Sequence, residues 1–392
     1  MGLFDHHDGG SSSHVCSTQS LAQNSTVTVI GDYTFYEANK IVSGAFTAAT
    51  LLIILTLMTM HAMKMRKSNE QVKILKICFV IPVYSLFSFL SVCFPKAAVF
   101  LEPWQAFYES LALGYFFLLL NEWISPSDSQ RDLFFSALRV PQKNDAPPLD
   151  GLEWYRKRWI FIFQYPVVAL GVAVATDITQ AAGIYCENSN KPYFAHLWLE
   201  IISAVSLGVC VMSILTCYQT LKPNIGGHRA LLKLLAFKVL VGLTFLENII
   251  FLILTSTDLL KPTSTLTYAD IKTGIPSLII CVQTSLFAIS FHYAYNVSEY
   301  SSPPKESLIS NQDHGPDEGG YGNKPPYSEL PPYEARMGFF RAWLAVLDPR
   351  EILSAIKFIF TMRSQAEMGT TFDTGYGGNV GLEPLRRNRD SY

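Results

Sequence analysis

Long apolar stretches separated by short polar segments dominate the chain up to about residue 297. A helix needs about 20 mainly apolar residues to cross a bilayer, and seven windows reach that length: 41–61, 74–94, 103–124, 159–177, 195–217, 233–255 and 274–295. The pattern predicts an all-α integral membrane protein whose core is a seven-transmembrane-helix bundle. The third window is the most polar, so it is expected to face other helices rather than lipid.

The composition also favours a membrane protein. Of the 392 residues, 49% are hydrophobic and 16% are charged, whereas a soluble chain usually has about a quarter of its residues charged. The net charge of −2 gives no sign of nucleic-acid binding. The first residues, MGLFDHHDGG, lack the basic and apolar regions of a cleavable signal peptide, so the first window is expected to direct insertion.

The charges between the windows predict an orientation. Lysine and arginine are concentrated in the loops after the first, third and fifth windows and are sparse in the alternate loops. Because these residues accumulate on the cytosolic side, we expect the N-terminus outside and the C-terminus in the cytosol. The sequence does not distinguish the plasma membrane from an endomembrane such as the vacuole or endosome.

Three residues of the predicted outer segments are candidates for covalent modification. Asn24 begins an Asn-Ser-Thr sequon, which predicts glycosylation. Cys16 and Cys186 are the cysteines of these segments, and either they form a disulfide or they remain two free thiols.

The C-terminal quarter differs in character from the apolar region. Residues 298–336 are rich in proline, glycine, serine and acidic residues, which predicts a disordered linker. Residues 337–363 return to helical periodicity, which predicts amphipathic helices on the inner leaflet or against the bundle; the alternative is a tail that folds only with a partner. The predicted organisation is therefore an outer segment 1–40, a transmembrane domain 41–297, the linker, the amphipathic helices and a flexible tail 364–392.

Polar residues inside the windows are the candidate functional residues. Glu247 and Gln283 lie at similar depths in the last two windows. A charge near the bilayer centre costs about 2.5–3.5 kcal/mol on insertion scales, so we expect Glu247 to hydrogen-bond Gln283. The candidate substrate or ion pathway consists of Glu109, Glu200, Lys238, Glu247, Asn248 and Gln283. The alternative is a structural role, in which Glu247 only joins helices by a hydrogen bond and Glu109 and Glu200 reach toward the outer surface.

The sequence does not favour metal binding or catalysis. His61 and His292 lie near the predicted inner ends of the first and last windows and form a candidate inner-face pair. The seven cysteines form no CxxC pair, and no spacing typical of zinc is present, so neither a metal nor a cofactor is expected. No HExxH, GxSxG, Walker or GxGxxG motif stands in a suitable context, so an enzyme is not expected.

Several blocks of the sequence resemble the organic solute transporter alpha-subunit family, which includes the transmembrane protein 184 branch, and the tail resembles its fungal members more loosely. The similarity covers about residues 41–297 and is carried by His61, EQVKILKICFVIPVY with Gln71 and Tyr84, FYESLALGYFFLLL with Glu109, QRDL, FQYP, KLLAFKVLVGLTF with Lys233 and Lys238, and LIICVQTSLFAISFHYAY with His292. The resemblance implies seven spans, an outer N-terminus and movement of amphipathic organic solutes such as steroid conjugates. The resemblance also implies a separate single-span subunit, which transport requires in some members of the family.

The chain departs from the family pattern at two places. Glu247 stands where the family usually has glutamine, and Gln283 stands where it usually has glutamate. The acid and the amide are therefore exchanged, which is the change expected if the two side chains touch.

These observations predict a membrane carrier for amphipathic organic solutes or lipids that does not use ATP. Its expected partners are membrane lipids, the solute, and either a single-span subunit or further copies of the chain. The alternative is a receptor-like or scaffold protein that recruits cytosolic partners through its tail. For that function the candidate is a WW-domain ligand of the LPxY form, made of Leu330, Pro331, Pro332 and Tyr333.

Overall fold

The computed structural model describes residues 16, 20–23, 25–125, 128–141, 147–187, 189, 191–225, scattered positions from 232 to 260, and residues 261–300 and 337–373. Within them the helices with defined bounds are α1 (Phe35–Met63), α2 (Ser68–Cys78), α3 (Val80–Cys93), α4 (Ala98–Ile124), α5 (Asp128–Ala137), α6 (Gly151–Ala181), α7 (Ala195–Leu221), α8 (Ile275–Ala294), α9 (Phe339–Val346) and α10 (Arg350–Asp373). Two antiparallel hairpins pair β1 (Thr28–Ile30) with β2 (Tyr33–Thr34) and β3 (Arg139–Val140) with β4 (Leu149–Asp150).

The chain forms two compact units, Met1–Pro349 and Arg350–Tyr392. The first unit contains the helices α1 to α9. The described part of the second unit is the helix α10, which continues about ten residues beyond the segment 337–363 that the sequence predicts to be helical.

The described residues contain five helical segments that are long and apolar enough to cross a membrane: Phe35–Met63, Ser68–Cys93, Gly151–Ala181, Ala195–Leu221 and Asp270–Tyr300. These segments confirm the prediction of an all-α membrane protein. Large apolar side chains face outward on them, as lipid contact requires, for example Leu52, Val205, Met212 and Leu286.

The third and sixth predicted windows are not among these five segments. α4 covers the third window and is 27 residues long, but its polar residues lower its hydropathy. The sixth window falls largely outside the described residues, although positions within it such as Lys233 and Glu247 are helical.

A hairpin and a cap determine where α1 begins. Gly31, with φ of 59°, lies in the tight turn between β1 and β2, and a positive φ of this kind costs glycine little. The Thr34 hydroxyl accepts a hydrogen bond from the backbone N–H of Glu37 at 3.3 Å, and the Glu37 carboxylate accepts one from the backbone N–H of Thr34 at 2.9 Å. This reciprocal capping box satisfies two N–H groups that the first turn of the helix would otherwise leave without partners.

The second predicted window corresponds to two helices in the structure. α2 and α3 meet at Phe79, and Pro82 follows three residues later. Proline has no N–H group, so the carbonyl of Cys78 loses its usual helical partner. The helical segment also begins at Ser68, six residues before the window, because polar residues of α2 are buried by the rest of the bundle.

The helices pack in two groups. α1 packs on α3 and α8, and α6 packs on α4 and α7, while α4 also packs on α2 and α3 and so joins the groups. We call the side of the bundle at which α1 begins the N-side and the side at which α1 ends the C-side. Successive long helices run in alternate directions between these two sides.

Small polar residues form the contact between α1, α3 and α8. The hydroxyl oxygens of Thr50 and Ser285 are 2.7 Å apart, and the Ser85 hydroxyl donates to Thr47 Oγ1 at 3.2 Å. All four side chains are buried. Small hydroxyl residues allow close approach of helices and bond across the interface, which is how helices associate where lipid removes the hydrophobic driving force.

We predict that Gly151→Ala destabilises the fold, whereas Gly171→Ala in the same helix does not. A Cβ at position 151 would lie 2.5 Å from the carbonyl oxygens of Phe135 and Leu138, while a Cβ at position 171 meets nothing within 4 Å. Forced repacking at Gly151 should cost about 1–3 kcal/mol, and alanine in place of the helical Gly171 should stabilise by about 0.5–1 kcal/mol. Thermal unfolding of the two variants in detergent measures the difference, and equal midpoints would contradict it.

The short helix α9 packs on α1 and α2 and buries Ala342 there. Phe340, Leu344 and Leu347 are 79%, 69% and 70% exposed, and their spacing of four and three residues places them on one face. The sequence predicts helices either on the inner leaflet or against the bundle. α9 has features of both, because one side contacts the bundle and the other presents an apolar stripe away from it. A stripe of this kind is typical of a helix lying in the membrane interface.

Candidate functional site

A buried carboxylate lies in the middle of the bundle. Glu109 on α4 and Tyr84 on α3 are 4% and 5% exposed, and the Tyr84 hydroxyl donates to Glu109 Oε2 at 2.9 Å. Tyr165 on α6, also buried, interacts electrostatically with the same carboxylate. Three helices thus place a carboxylate and two phenol rings together in otherwise apolar surroundings.

The amide of Gln105 extends this site toward the N-side. Gln105 lies one helical turn before Glu109, and its Nε2 donates to the Tyr84 carbonyl and to the Ser88 hydroxyl, each at 3.3 Å. Since α4 begins at Ala98, Glu109 is roughly 16 Å along the helix from its start. Glu109 therefore lies deeper than its position in the third window, six residues from the start, indicates. Its side chain is buried and does not reach toward the outer surface, as the alternative structural role would require.

The expected hydrogen bond between Glu247 and Gln283 is not formed. Gln283 is 8% exposed, and Gln283 Oε1 and Glu247 Oε2 are buried atoms with no hydrogen-bond partner in the described part of the chain. On α8, Cys281 and Ser285 bond to α1. Gln283 lies two residues from each and therefore leaves the helix on nearly the opposite side. The contacts of Cys281 and Ser285 with α1 determine the rotation of α8 about its axis. The depth of a residue along the helix does not predict this rotation.

Glu200 lies apart from the buried carboxylate, on the N-side. Its side chain is exposed near the start of α7. Burial raises the pKa of the nearby Tyr185 hydroxyl, and the carboxylates of Glu200, Glu187 and Glu102 raise that pKa further. Glu200 thus belongs to an acidic N-side group and not to the site around Glu109.

A disulfide and an ion pair join the loops of the N-side. Cys16 and Cys186 are disulfide-bonded, with their Cα atoms 5.6 Å apart. Lys272 Nζ lies 3.2 Å from Glu187 Oε1, next to that disulfide. These contacts join the N-terminal segment and the turn directly before α8 to the loop between α6 and α7.

Several predicted residues lie outside the described residues, and their placement stays a prediction. They are Asn24, Lys238, Asn248 and the tail motif Leu330, Pro331, Pro332 and Tyr333.

His61 and His292 do not bond to each other as an inner-face pair. His61 Nε2 is 2.9 Å from the carbonyl oxygen of Tyr295, and His292 Nε2 is 2.9 Å from that of Ile53. Each imidazole therefore bonds to the backbone of the opposite helix, and the two bonds join α1 to α8 reciprocally. The two histidines therefore contribute to the packing of α1 on α8 through their Nε2 atoms.

Glu70 and its partners form a polar cluster on the C-side. Glu70 on α2 is 7% exposed. Its carboxylate accepts hydrogen bonds from Lys67 Nζ at 2.9 Å, from Trp123 Nε1 at 3.2 Å and from the Tyr300 hydroxyl at 3.1 Å. These bonds join α2 to the end of α4 and to the segment after α8.

Lys233 extends the same cluster. It is fully buried, its ammonium lies 2.7 Å from Glu299 Oε2 and 5.0 Å from the centre of the Trp123 ring, and the Tyr295 hydroxyl donates to its carbonyl at 3.2 Å. A buried ammonium is tolerated only with such a partner. We call Glu70, Trp123, Lys233, Glu299 and Tyr300 the C-side cluster.

Sequence reasoning missed the C-side cluster as a candidate site. Lys233 lies at the edge of an apolar window within a block that resembles the family, and Glu299 and Tyr300 lie beyond the predicted end of the bundle at residue 297. The available signal is a pair of opposite charges that flank the last two apolar windows, with Lys233 at the start of the sixth and Glu299 after the seventh. No group of three or more metal-ligating side chains occurs in the described residues.

Comparison with known proteins now decides the family. The model of the family described as Organic solute transporter Ostalpha matches residues 39–300, which is more than half of the chain. The chain belongs to this family. The match ends at Tyr300, the last residue of the C-side cluster, and it confirms the resemblance found in the sequence. The family is of a membrane-transporter type and is not a known enzyme family.

Curated relatives are distant membrane proteins. The chain is 22% identical to a transmembrane protein 184 homologue of Dictyostelium discoideum, over 68% of the chain and 54% of that relative. It is 24% identical to the vacuole membrane protein hfl11 of Schizosaccharomyces pombe (68% and 63%) and 24% identical to protein LAZ1 of Arabidopsis thaliana (66% and 57%). The chain thus matches less than two thirds of the length of these relatives. No solved structure matches it.

Proposed function

We propose that this protein is a multi-pass membrane carrier for amphipathic organic solutes or lipids that does not use ATP. The observation that carries the proposal is the buried Glu109 carboxylate, which accepts a hydrogen bond from Tyr84 and interacts electrostatically with Tyr165 in the middle of an apolar bundle. An ionisable group inside a membrane protein is costly and typically marks a pathway for a solute or an ion. Membership of the transporter-type family supports the same function.

The proposed carrier has seven spans, with the N-side outside the cytosol. The five apolar segments, α4 and the helical positions from 232 to 260 together make the seven. The positive-inside distribution of lysine and arginine supports this orientation. The Cys16–Cys186 disulfide on the N-side supports it too, because disulfides persist in oxidising compartments.

In this carrier the solute would bind beside Glu109. A solute hydroxyl or cationic group can replace the Tyr84 hydroxyl as donor to Glu109 Oε2, since both make hydrogen bonds to a carboxylate. Gln283 Oε1 and Glu247 Oε2 offer further acceptors in the apolar bundle. The C-side cluster joins four segments of the chain, so a solute that leaves on that side would require those bonds to open.

The test is transport into vesicles prepared from cells that produce the full chain, so that a cellular partner subunit is present. We expect saturable uptake of a radiolabelled steroid sulfate that keeps a free hydroxyl group, above that of vesicles from cells without the chain. A fluorescent phospholipid serves as the second probe. If neither probe moves while the protein is folded in the membrane, the carrier function is wrong, and the scaffold function becomes the better explanation.

A further inference from the structure

A cavity separate from the Glu109 site opens at the C-side end of α1. Its volume is about 660 Å³, within the range of small-molecule sites. Its lining includes Met63, Lys64, Arg66, Tyr300, Met337 and Phe339. The cavity thus lies between the end of α1, the end of the bundle and the start of α9.

The loop after α1 presents two cations to this cavity. Lys64 and Arg66 are exposed, and neither forms an ion pair with a residue that the structure describes. Met65, between them, is buried at 4% exposure. The next cation, Lys67, already pairs with Glu70 at 2.9 Å.

A buried amide holds this loop in place. Gln71 is fully buried, and its Oε1 accepts from the backbone N–H groups of Arg66 at 2.7 Å and Lys67 at 3.0 Å. Its Nε2 donates to the carbonyl of Lys64 at 3.1 Å. The two cations therefore extend from a backbone that is fixed before any ligand binds, which lowers the entropic cost of binding.

An apolar groove continues from the cavity along α1. It has a volume of about 270 Å³ and is lined by Leu52, Leu55, Thr56, Thr59, Met60 and Met63. Met63 lines both spaces, so the two are adjacent. From residue 52 to residue 63 the groove runs roughly 16 Å along the helix, about half of a hydrocarbon core about 30 Å thick, which is the depth of one leaflet.

We infer that this cavity and groove bind one anionic phospholipid, with the phosphate between Lys64 and Arg66 and an acyl chain along α1. Charge complementarity identifies the headgroup, since basic residues next to a transmembrane helix attract anionic lipids and the arginine fork suits a phosphate. The apolar groove of one-leaflet depth identifies the rest of the molecule. The exposed stripe of α9 places a second apolar surface beside the same headgroup region.

The inference is tested by native mass spectrometry of the full-length protein titrated with phosphatidylglycerol or with phosphatidylcholine of the same acyl chains. Wild type is expected to retain phosphatidylglycerol preferentially. The variant Lys64→Gln/Arg66→Gln should bind it about 30-fold more weakly and should lose the preference over phosphatidylcholine. Met63→Gln should weaken both lipids, because it places a polar group where the acyl chain begins.

The matched control is Lys157→Gln/Lys222→Gln, which removes two exposed cations on the same side of the bundle. This control should bind phosphatidylglycerol as wild type does, and equal thermal midpoints show that both double variants are folded. Retention of phosphatidylglycerol by Lys64→Gln/Arg66→Gln at the wild-type level would overturn the inference, as would an equal loss in the control. Competition by soluble glycerol phosphate would also overturn it, since a free phosphate would then suffice.

Discussion

Replacing Glu299 by alanine is expected to lower the free energy of unfolding by roughly 3–5 kcal/mol. The substitution removes the carboxylate that lies 2.7 Å from the ammonium of Lys233, and Lys233 is fully buried. The ring of Trp123, 5.0 Å away, would be its remaining favourable contact among the residues that the structure describes. Thermal unfolding in detergent should show a midpoint about 5 °C below that of wild type.

A double variant separates the lost ion pair from a general packing defect. Lys233→Met/Glu299→Ala removes both charges, so it should regain much of the stability that Glu299→Ala loses. Lys157→Ala breaks the exposed pair with Glu153 and should cost about 1 kcal/mol or less. If Glu299→Ala unfolds with the midpoint of Lys157→Ala, then the C-side cluster does not stabilise the bundle in the way its geometry indicates.

Glu109→Gln is expected to lower solute flux about tenfold to a hundredfold. A hydrogen bond to a charged group is worth about 1.5–3 kcal/mol, and the variant replaces the carboxylate with an amide of nearly the same shape. Because the amide oxygen still accepts from the Tyr84 hydroxyl, the contact at 2.9 Å between α3 and α4 is kept. Steroid sulfate uptake at matched protein amounts measures the effect, with thermal unfolding as a check on the fold.

Glu200→Gln is the matched control for this prediction. Glu200 is also a glutamate on a long helix, but its side chain is exposed near the N-side end of α7. Steroid sulfate uptake by Glu200→Gln should stay at the wild-type level. Uptake by Glu109→Gln equal to that of Glu200→Gln would show that the buried carboxylate only joins helices.

The sequence predicts the helices well because hydropathy responds to the bilayer itself. The windows for α1, α6, α7 and α8 overlap helices of the structure, and the polar third window is a buried helix, as its composition indicates. The second window is interrupted at Phe79, where Pro82 removes a backbone donor. That signal was present in the sequence, but hydropathy does not register it.

Contacts between side chains are predicted less well, because they depend on how each helix is rotated about its axis. Matching depths predict a bond between Glu247 and Gln283, but Gln283 leaves α8 on the side away from α1. The two histidines likewise lie on adjacent helices, yet each finds a backbone carbonyl instead of the other ring. The depth of a residue in the bilayer therefore identifies candidate contacts, while the rotation of each helix about its axis determines which side chains meet.

The C-side cluster was missed for a different reason. Glu299 and Tyr300 follow the last apolar window, where composition changes toward the proline-rich tail, so the sequence pattern places them in the linker. In the structure Tyr300 is 5% exposed and bonds to Glu70. Long-range pairs of this kind leave no local pattern, because the residues they join are 230 positions apart.

The most direct test of the proposed carrier is a density map of the full-length protein in native-like lipid with a steroid sulfate present. We predict solute density inside the bundle, between α3, α4 and α6, with a hydroxyl group of the solute within hydrogen-bonding distance of Glu109. The same density should be absent from Glu109→Gln. A map in which the space around Glu109 and Tyr84 is filled by packed side chains, with solute density only at the lipid-facing surface, would contradict it.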